Sequence, residues 1–376
     1  MTLTLLTLAI RDFRNLARVD LAVPAAGLVL VGPNGHGKTN LLEAIHYLHV
    51  LRSVRGARDA DLVRFGAEAF HVAAQAQGGA VDDVRIGFAR AAKRKKVMLD
   101  GVEAERLADA FGALPSVMFS PRDVELVAGP PTERRRFVDI ALATTSRRYL
   151  TALQRYRAAL VRRNATLREV LRRGTSDGAT RVAVWEPALA EAGATLWCAR
   201  VRWSRWAAPR LGALCAAIGE RERVTLEYHT SLAVDPAGEA DETHVREQLA
   251  AALERDRGQD LRRSLTHSGP HRDDITLKLG GRALRSFGSA GQQRTSAIAL
   301  RLLERETLCE QAGRPPLVLL DDPFAELDVD RARQILRMLG DGAPGQTFLV
   351  VPRGDDVPDA YTALSRHTIR DGVLDA

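Results

Sequence analysis

The stretch from residue 27 to residue 48 constrains the fold more than any other part of the chain. Residues 28–31 form an apolar run that is typical of a buried strand. Gly32, four intervening residues, and then Gly37, Lys38 and Thr39 follow this run. Beyond the loop, apolar residues at helical steps predict a helix to about residue 51: Leu41, Leu42, Ala44, Ile45 and Leu48. A strand, this glycine pattern and a helix, in that order, predict a phosphate-binding loop.

The residue types in this loop fit the chemistry of a nucleotide site. Glycines let backbone N–H groups turn towards phosphate oxygens, and the following helix points its positive end at them. In such a loop the Lys38 ammonium reaches the β- and γ-phosphates, and the Thr39 hydroxyl holds Mg2+. Lysine is rare in this arginine-rich chain, so its presence at position 38 suits a site that needs a compact point charge.

Composition narrows the class of protein. A chain of 376 residues can form two or three lobes, and 45% hydrophobic and 27% charged residues are typical of a soluble globular protein. We expect no membrane span, because no apolar run reaches about 18 residues. The first residues lack a basic leader, and the three scattered cysteines suit a reducing cytoplasm. A net charge of +7 and a pI near 9.7 favour nucleic acid as a polyanionic partner.

Alternating stretches around the loop predict a β-layer beside the nucleotide-binding sheet. The predicted strands cover residues 2–10, 18–23, 69–77 and 84–89, with a turn at 11–15. Residues 97–103, with Asp100-Gly101 at their centre, predict a hairpin. Further strands are predicted at 224–229, 275–279, 317–321 and 347–351, and a helix at 243–257.

A long helical pattern begins at residue 132. Apolar residues recur at three- and four-residue steps, and few breakers occur before Gly174, so we predict one helix of about 40 residues. A second helix is predicted from Glu186, because proline at position 187 suits a first helical turn, and Pro209 should kink or end it. We expect the two predicted helices to form an antiparallel arm, with Trp203 and Trp206 packed in the seam between them.

The first helix of this arm is rich in arginine. Twelve arginines stand against Glu133, Asp139 and Glu169 in its sequence. Such a helix repels itself without an anionic partner, which favours contact with phosphates, and the alternative is an ordinary solvated surface. The twelve are Arg134, Arg135, Arg136, Arg147, Arg148, Arg155, Arg157, Arg162, Arg163, Arg168, Arg172 and Arg173.

Two further motifs lie in the last third of the chain. The apolar run before Asp321 and Asp322 predicts a strand that ends in two carboxylates, the first for Mg2+ and the second for the attacking water. Ser289 and Gln292 form a capping box before a helical pattern that runs to about residue 310. This turn is either a simple helix cap or a second phosphate-binding terminus.

Several stretches of the chain resemble the RecF family of bacterial DNA-repair proteins. Ser289-Ala-Gly-Gln-Gln resembles the signature motif of ABC-type ATPases, and 321–322 with 325–328 resemble their Walker B and D-loop. The RecF resemblance rests on Gly-Lys-Thr-Asn-Leu-Leu-Glu-Ala at 37–44, Phe-Ser-Pro-Arg-Asp at 119–123, Arg-Arg-Arg-Phe-Val-Asp at 134–139 and Gly-Pro-His-Arg-Asp-Asp at 269–274. It covers nearly the whole chain in order.

The resemblance implies an α/β fold. We expect a P-loop ABC-type ATPase head with mixed sheets and a helical second lobe that carries a short antiparallel coiled-coil-like arm. The expected domains are 1–125 (ATPase lobe with Walker A), 126–260 (helical lobe and arm) and 261–376 (signature motif, Walker B and D-loop). Two protomers would clamp two ATP molecules, each between one Walker A loop and the signature turn of the other protomer.

The expected site residues follow from the motifs and the resemblance together. For catalysis they are Asp322, Lys38 and Asp321, and for Mg2+ Thr39 and Asp321. For ATP they are Gly32, Pro33, Asn34, Gly35, His36, Gly37, Lys38, Thr39, Asn40, Ser289, Gly291 and Gln292. For DNA they are Lys93, Arg94, Lys95, Lys96, Arg134, Arg135 and Arg136. Arg122 and Asp123 fall at the position of a Q-loop, and residues 271–274 are either a polar network at the lobe junction or a DNA contact.

The chain departs from the ABC-type pattern at three positions. Asp322 replaces the glutamate of many ABC ATPases, which is usual in the RecF family, and Ala325 replaces a common D-loop serine. Pro352 stands where ABC enzymes place a histidine that senses the γ-phosphate, and proline has neither a side-chain donor nor an N–H. Nothing in the spacing supports His271 or His367 as a substitute. Hydrolysis is therefore a weaker expectation than binding.

These features predict an ATP-dependent DNA-binding protein of recombinational repair and replication-fork maintenance. ATP would drive head-to-head dimerisation on double-stranded DNA and single-/double-strand junctions, and slow, DNA-dependent hydrolysis would release it. The resemblance adds RecR-like partners and RecA loading. The alternatives are a nucleotide-gated interaction protein with negligible turnover and the ATPase subunit of a transporter.

Overall fold

Two separate stretches of the chain, Met1–Asp123 and Ile298–Ala376, come together as a first unit, and Val124–Ala297 form a second. The computed structural model describes residues 2–174, 176–236, 238, 241–324, 327–340 and 345–375. Residues 261–297 belong to the second unit. The predicted division into segments 1–125, 126–260 and 261–376 instead places them in the last segment, with the ATPase part. The functional assignment of those segments stays a prediction.

The first unit contains an antiparallel sheet with the order β2-β1-β4-β5-β6-β7. Buried and exposed residues alternate along β4, as expected of a sheet with one covered face. At the β6–β7 hairpin, Asp100 and Gly101 both have positive φ, which matches the predicted tight turn. The strands are β1 (Thr4–Phe13), β2 (Leu16–Ala22), β4 (Ala69–Gln77), β5 (Asp83–Ala89), β6 (Arg94–Leu99) and β7 (Val102–Glu103).

A second, mixed sheet in the same unit has the order β15-β14-β3-β13-β12-β8. Its central strands are apolar runs and pair in parallel, as expected of strands buried on both faces. The strands are β3 (Gly27–Val31), β8 (Ser116–Phe119), β12 (Leu317–Asp321), β13 (Thr347–Val351), β14 (Ser365–Arg370) and β15 (Val373–Asp375).

Helix α1 (Lys38–Val50) lies in the core of the first unit. Its residues from Leu41 to Val50 are all buried, which is typical of a helix covered on every side. The Tyr47 ring packs edge-on against Phe13 and Phe70, with centroids 5.9 and 5.5 Å away. Truncating such a ring to alanine costs about 3–5 kcal/mol, so this cluster fixes the helix that follows the glycine loop. A short helix, α2 (Asp59–Leu62), follows it.

The second unit is mainly helical. It also holds a three-stranded antiparallel sheet in the order β11-β10-β9, in which a hairpin turn at Gly280 and Gly281 joins β10 and β11. Its strands are β9 (Val224–His229), β10 (Asp274–Leu279) and β11 (Arg282–Ala283). Its helices are α3 (Glu125–Ala128), α4 (Pro131–Thr145), α5 (Arg147–Arg173), α6 (Gly178–Ala183), α7 (Glu186–Ile218), α8 (Glu242–Arg263) and α9 (Leu284–Phe287).

Two further helices lie in the last third of the chain. Helix α10 (Ala290–Ala312) begins in the second unit and continues into the first, and α11 (Val329–Gly340) follows β12. No helix in the described part of the chain is both long enough and apolar enough to cross a membrane.

The predicted single helix from residue 132 to 174 is wrong. Ser146 has an extended backbone, and its side chain accepts a hydrogen bond from the Tyr149 N–H at 3.2 Å, so one helix ends and α5 begins there. Helix α7 begins at Glu186 as predicted, but it continues past Pro209 to Ile218. Ala207 and Leu211, two positions before and after the proline, are both buried, and burial of this helix offsets the lost backbone hydrogen bond.

Candidate functional site

The glycine loop joins β3 to α1 in a conformation that only some residues adopt. Gly35 and Gly37 have φ values of 85° and 112°, in the left-handed region that favours glycine. A Cβ atom at Gly37 would lie 2.9 Å from the Asn15 side chain. Glycine at position 37 is therefore required both by the backbone and by the close approach of Asn15.

A cavity of about 300 Å3 opens beside this loop. It brings the loop together with the carboxylates at the end of β12, although the two are some 280 residues apart in the chain. The lining residues are Asn34, Gly35, Gly37, Lys38, Thr39, Asn40, Arg55, Asp321, Asp322, Val350 and Pro352.

The Lys38 ammonium is held by the loop itself. Nζ donates to the carbonyl oxygen of Pro33 at 2.7 Å and also to that of Gly32. Burial lowers the pKa of Lys38, and the nearby carboxylates of Asp321 and Asp322 oppose this effect. Gly32 and Pro33 thus act through their carbonyl groups and do not line the cavity.

Thr39 and Asp321 form the closest link between the two motifs. The Thr39 hydroxyl donates to Asp321 Oδ1 at 2.8 Å. Burial raises the pKa of Asp321, while the Thr39 hydrogen bond and the charge of Arg55 act in the opposite direction. A hydroxyl and a carboxylate are oxygen ligands of the kind that Mg2+ prefers, so this pair fits such an ion.

Asp322 occupies an unusual backbone position. Its φ is 46°, in the left-handed region, and its N–H donates to the Val350 carbonyl on the neighbouring strand at 3.1 Å. The hydrogen bond holds the turn after β12 and keeps Asp322 at the cavity. Residues held in such sparsely populated conformations cluster at functional sites.

Arg55 lines the cavity, although no sequence motif singles it out. Its guanidinium donates to Asn40 Oδ1 at 2.7 Å and lies 3.4 Å from the Glu43 carboxylate. Glu43 is fully buried on α1 and is also paired with Arg14 at 3.1 Å. A glutamate on a helix buried on every side needs cationic partners, and this was the signal that could have identified Arg55.

Hydrogen bonds of His36 and Asn15 hold the glycine loop in place. The Asp371 N–H donates to His36 Nδ1 at 3.0 Å, and the Gly372 N–H donates to the His36 carbonyl at 3.0 Å. The Asn15 amide donates to the Gly35 carbonyl at 3.4 Å, and its oxygen accepts from Asn40 at 2.7 Å. These contacts give His36 and Asn40 a role in shaping the loop.

Pro352 lines the cavity, whereas the two histidines considered as substitutes for a sensor do not. His367 lies on β14 opposite Leu30 and contacts the Ser365 hydroxyl at 3.2 Å. His271 belongs to the second unit and contacts Tyr156. Among the described residues, the lining of the cavity therefore includes no histidine. Ala325, the other departure near Walker B, lies outside the described residues.

Ser289 belongs to the second unit and has the predicted capping geometry. Its N–H donates to Gln292 Oε1 at 2.9 Å, and the Gln292 N–H donates to Ser289 Oγ at 3.3 Å. The capping box is thus confirmed, and Ser289 itself is exposed. Neither Ser289 nor Gly291 nor Gln292 lines the cavity of its own chain.

At the position of a Q-loop, Asp123 is buried and serves a local structural purpose. It accepts from the Ser120 N–H at 2.7 Å, and Arg301 donates to it at 2.8 Å. Arg301 also pairs with Glu304 at 2.8 Å. Arg122 is exposed.

The predicted DNA-contacting residues differ in their exposure. Lys93, Arg94 and Lys96 are exposed, and Glu103 pairs with the last two at 3.1 and 2.9 Å. Lys95 is largely buried, because it pairs with Asp59 at 2.9 Å and lies over the Tyr47 ring. It therefore stabilises the fold and is not at a surface that a phosphate reaches.

Arg134 is likewise removed from the surface. Its guanidinium makes a two-pronged ion pair with Asp274, at 2.9 and 2.8 Å, and its side chain is 7% exposed. Arg135 donates to the Asp273 carbonyl at 2.7 Å and is partly exposed. Arg136 is partly exposed as well, so Arg135 and Arg136 stay candidates for DNA contact.

The expectation that the arginine-rich helix repels itself left out some of its ion-pair partners. It counted only acids within the helix, whereas other elements supply the partners: Arg148 pairs with Glu242 at 2.7 Å. Arg163 is fully buried and pairs with Asp260 at 2.6 Å and Glu186 at 2.9 Å. These pairs neutralise part of the charge that the sequence alone leaves uncompensated, and phosphate contact by the remaining arginines stays a prediction.

His271, Asp273 and Asp274 take part in a polar network within the second unit. Tyr156 contacts His271 Nδ1 at 2.6 Å, and Tyr228 donates to Asp273. Burial lowers the pKa of His271 to about 4. Of the two readings of this motif, the structure supports a structural network for His271, Asp273 and Asp274, while Arg272 is exposed.

Comparisons with known proteins agree with this architecture. A family model described as the RecF/RecN/SMC N terminal domain matches residues 4–371. A DNA replication and repair protein RecF from Anaeromyxobacter sp. (strain K) is 42% identical over 98% of both chains. Another RecF, from Symbiobacterium thermophilum, is 37% identical over 93% of this chain and 92% of its own.

Solved structures show the same fold. A structure described as the recombination mediator protein RecF-ATP in RecFOR pathway has a TM-score of 0.89 and 29% identity, covering 100% of this chain and 97% of its own. An Smc head domain from Pyrococcus furiosus has a TM-score of 0.54 at 18% identity, covering 99% and 95%, and supports the fold alone. The predicted ABC-type ATPase head with mixed sheets and a helical second part is thus confirmed.

Proposed function

Since this chain belongs to the RecF family of DNA replication and repair proteins, we propose that it is an ATP-dependent DNA-binding protein. It would serve recombinational repair and replication-fork maintenance in the cytoplasm. The observation that carries the proposal is the 2.8 Å contact between Thr39 and Asp321, which joins the two nucleotide motifs in one cavity. A RecF relative has been solved with ATP, which supports the choice of nucleotide.

Each residue of the cavity has a proposed role. Backbone N–H groups of the loop at 32–40, including Asn34 and Gly35, would bind the phosphates together with Lys38. Thr39 and Asp321 would hold Mg2+, which would supply positive charge against the phosphate oxygens when bound. Asp322 would orient the attacking water and accept its proton. Arg55 would add a second cation at the cavity wall.

We propose that ATP binding drives a head-to-head dimer. In this arrangement Ser289, Gly291 and Gln292 of the partner protomer would complete the site around the γ-phosphate. Ser289 is exposed in a capped helix start, where backbone N–H groups favour an anion. RecR-like partners and assistance to RecA loading extend the proposal by family resemblance.

The dimer proposal is tested by molar mass in solution with Mg-ATP. Wild type should become dimeric, whereas Ser289→Arg should stay monomeric, because the longer cation would obstruct the shared site. Ser176→Arg, at an exposed serine in the turn after α5, is the matched control and should dimerise. If ATP leaves wild type monomeric, or if Ser289→Arg dimerises as well, the shared-site model is wrong.

DNA contact is proposed for Lys93, Arg94, Lys96, Arg135 and Arg136, and the DNA would include double-stranded segments and single-/double-strand junctions. Binding to a duplex should weaken steeply with salt, since neutralising each phosphate releases counterions. A Lys93→Gln/Arg94→Gln double variant should show a smaller salt slope than wild type. A flat salt response of wild type would contradict phosphate contact.

The second candidate is a nucleotide-gated interaction protein with negligible turnover. Pro352 at the cavity wall supports it, because proline has no side-chain donor where a sensor histidine would act. Steady-state phosphate release with and without DNA separates the two candidates, and DNA-stimulated release would favour a slow ATPase. The relatives are replication and repair proteins, which argues against the transporter alternative.

A further inference from the structure

A groove with an alanine floor runs between α5 and α7 in the second unit. Its volume is about 580 Å3, and its floor includes Ala152, Ala159 and Ala192, with Ala188 at the exposed edge. Because alanine side chains end at Cβ, two helices that meet through alanines leave room that larger residues would fill. The volume lies within the range of ligand-binding clefts, so side chains of another molecule fit here.

Arginines form the α5 wall of this groove. Arg155 and Arg162 are seven residues apart, which places them on the same face of the helix with a separation of about 10.5 Å along its axis. Neither has a carboxylate partner among the described residues. The Arg162 guanidinium lies over the Trp185 ring, 5.5 Å from its centroid, and the Trp185 Nε1–H donates to Thr166 at 3.1 Å.

The opposite wall has the other sign of charge. It includes Glu191, which is exposed, and Glu242, which already accepts hydrogen bonds from Arg148 at 2.7 Å and from Thr195 at 2.6 Å. A nucleic-acid backbone carries phosphates at closely spaced intervals and would meet these carboxylates. A polypeptide can direct acidic side chains to the α5 wall and neutral or basic ones to the other. The charge pattern therefore favours a polypeptide.

We propose that this groove, lined by Arg155, Arg162 and Trp185 above the alanine floor, binds an acidic amphipathic helix of a partner protein. Two carboxylates seven residues apart on that helix would face Arg155 and Arg162, and its apolar side chains would lie over the alanines. The groove shares no residue with the nucleotide cavity or with the proposed DNA contacts. The inference is therefore independent of the proposed function.

The charge requirement is tested with the full-length protein and a fluorescein-labelled helical peptide of about 18 residues, with glutamates at positions i and i+7 and leucine and alanine around them. Fluorescence anisotropy should show binding to wild type. The double variant Arg155→Glu/Arg162→Glu should bind at least about tenfold more weakly. The control Arg168→Glu/Arg172→Glu reverses two exposed arginines of the same helix that do not line the groove, and it should bind as wild type does. Equal loss in both variants would overturn the proposal.

A steric variant separates a peptide groove from a DNA surface. Ala188→Trp fills the groove from its exposed edge without changing the charge, so peptide binding should be lost while duplex DNA binding is unchanged. A peptide with glutamine in place of both glutamates should bind at least about tenfold more weakly to wild type. If Ala188→Trp keeps peptide affinity, or if the double arginine variant loses duplex DNA but not the peptide, the proposal is wrong. Thermal unfolding at the wild-type midpoint shows that each variant is folded.

Discussion

Asp321 is a half-buried carboxylate and Asp260 a fully buried one, and the donors around them differ in a way that separates a working site from a scaffold. Asp260 is fully buried in the second unit and is bound by Arg163 at 2.6 Å, by the His267 N–H at 3.0 Å and by His267 Nδ1 at 2.7 Å. Asp321 borders a cavity in the first unit, and a single hydroxyl, that of Thr39, donates to its side chain among the described residues.

The contrast indicates what each carboxylate is for. A saturated ion pair holds its neighbours in place, and removing one partner leaves an uncompensated buried charge. A carboxylate with unused lone pairs beside a cavity can take a further ligand, and its burial raises its pKa. The number of donors around each acid therefore indicates which of the two roles it serves.

The largest expected effect on stability concerns Asp260, whose carboxylate is saturated with donors. Arg163→Ala leaves Asp260 and Glu186 without their shared cation, so the free energy of unfolding should fall by about 3–5 kcal/mol. Urea denaturation followed by circular dichroism measures this loss. Arg168→Ala, an exposed position on the same helix, is the control and should change stability by less than about 0.5 kcal/mol. A loss as small as that of the control would show that the Arg163 cluster is not a scaffold.

At the cavity beside Asp321, Lys38→Met should reduce ATP hydrolysis and leave the fold intact. The unfolding free energy should change by less than about 1 kcal/mol, because the variant removes a desolvated charge held by two carbonyl groups. ATP hydrolysis should fall by about 10²- to 10³-fold, the usual result of removing a group that stabilises transition-state charge. Phosphate release and urea denaturation give the two numbers. A large loss of stability in this variant would show that Lys38 is part of the scaffold.

The dependence of stability on pH provides a third comparison, because each unit holds a histidine whose pKa is lowered by burial. Burial lowers the pKa of His49 in the first unit and of His271 in the second to about 4. The unfolded pKa is about 6.5, so between these values the unfolded chain binds more protons. Stability should therefore fall as the pH decreases from about 6.5 towards 4, by up to about 1.4 kcal/mol per pH unit for each histidine.

This pH dependence is assigned by substitution. His49→Gln and His271→Gln should each flatten the slope of unfolding free energy against pH by about one proton, measured by urea denaturation between pH 7 and pH 5. An unchanged slope in both core variants would mean that these histidines do not stay neutral in the folded chain.

The smallest effect is expected at Arg55, which has features of both roles. Arg55 pairs with Asn40 and Glu43 like a scaffold residue, but it also lines the cavity. Arg55→Ala should slow ATP hydrolysis by about tenfold with less than about 1 kcal/mol loss of stability, since Arg14 still pairs with Glu43. Arg58→Ala, at an exposed arginine paired with Asp61, is the control and should not slow hydrolysis. Unchanged hydrolysis in Arg55→Ala would assign Arg55 to the scaffold.

Local sequence patterns predicted much of the first unit. The strand–loop–helix at residues 27–50 follows from one apolar run, a glycine spacing and one helical repeat, which are all short-range signals. The hairpin at Asp100-Gly101 was predictable for the same reason, because positive φ at both positions selects those residue types.

The features that escaped prediction depend on contacts between distant residues. Arg134 pairs with Asp274, 140 positions away, and Arg163 with Asp260, 97 positions away, so a count of charges along one helix overestimated its exposed charge. The predicted long helix also passed over Ser146, although serine is favoured at helix N-caps, and its contact with the Tyr149 N–H shows that α5 begins there. Arg55 was missed because its partners, Asn40 and Glu43, meet it only after α1 has formed.

The backbone at residue 322 has a consequence for which amino acids can serve there. Left-handed φ values are tolerated several-fold better by aspartate and asparagine than by most other residues, whereas glutamate lacks this local preference. The turn after β12 therefore selects the shorter of the two acids, which accounts physically for an aspartate where many ABC ATPases have glutamate. At position 322, the residue that serves the chemistry is therefore not the residue that gives the most stable turn. Glycine would relax the turn and raise stability, and the chain would then keep its shape but lose the acid.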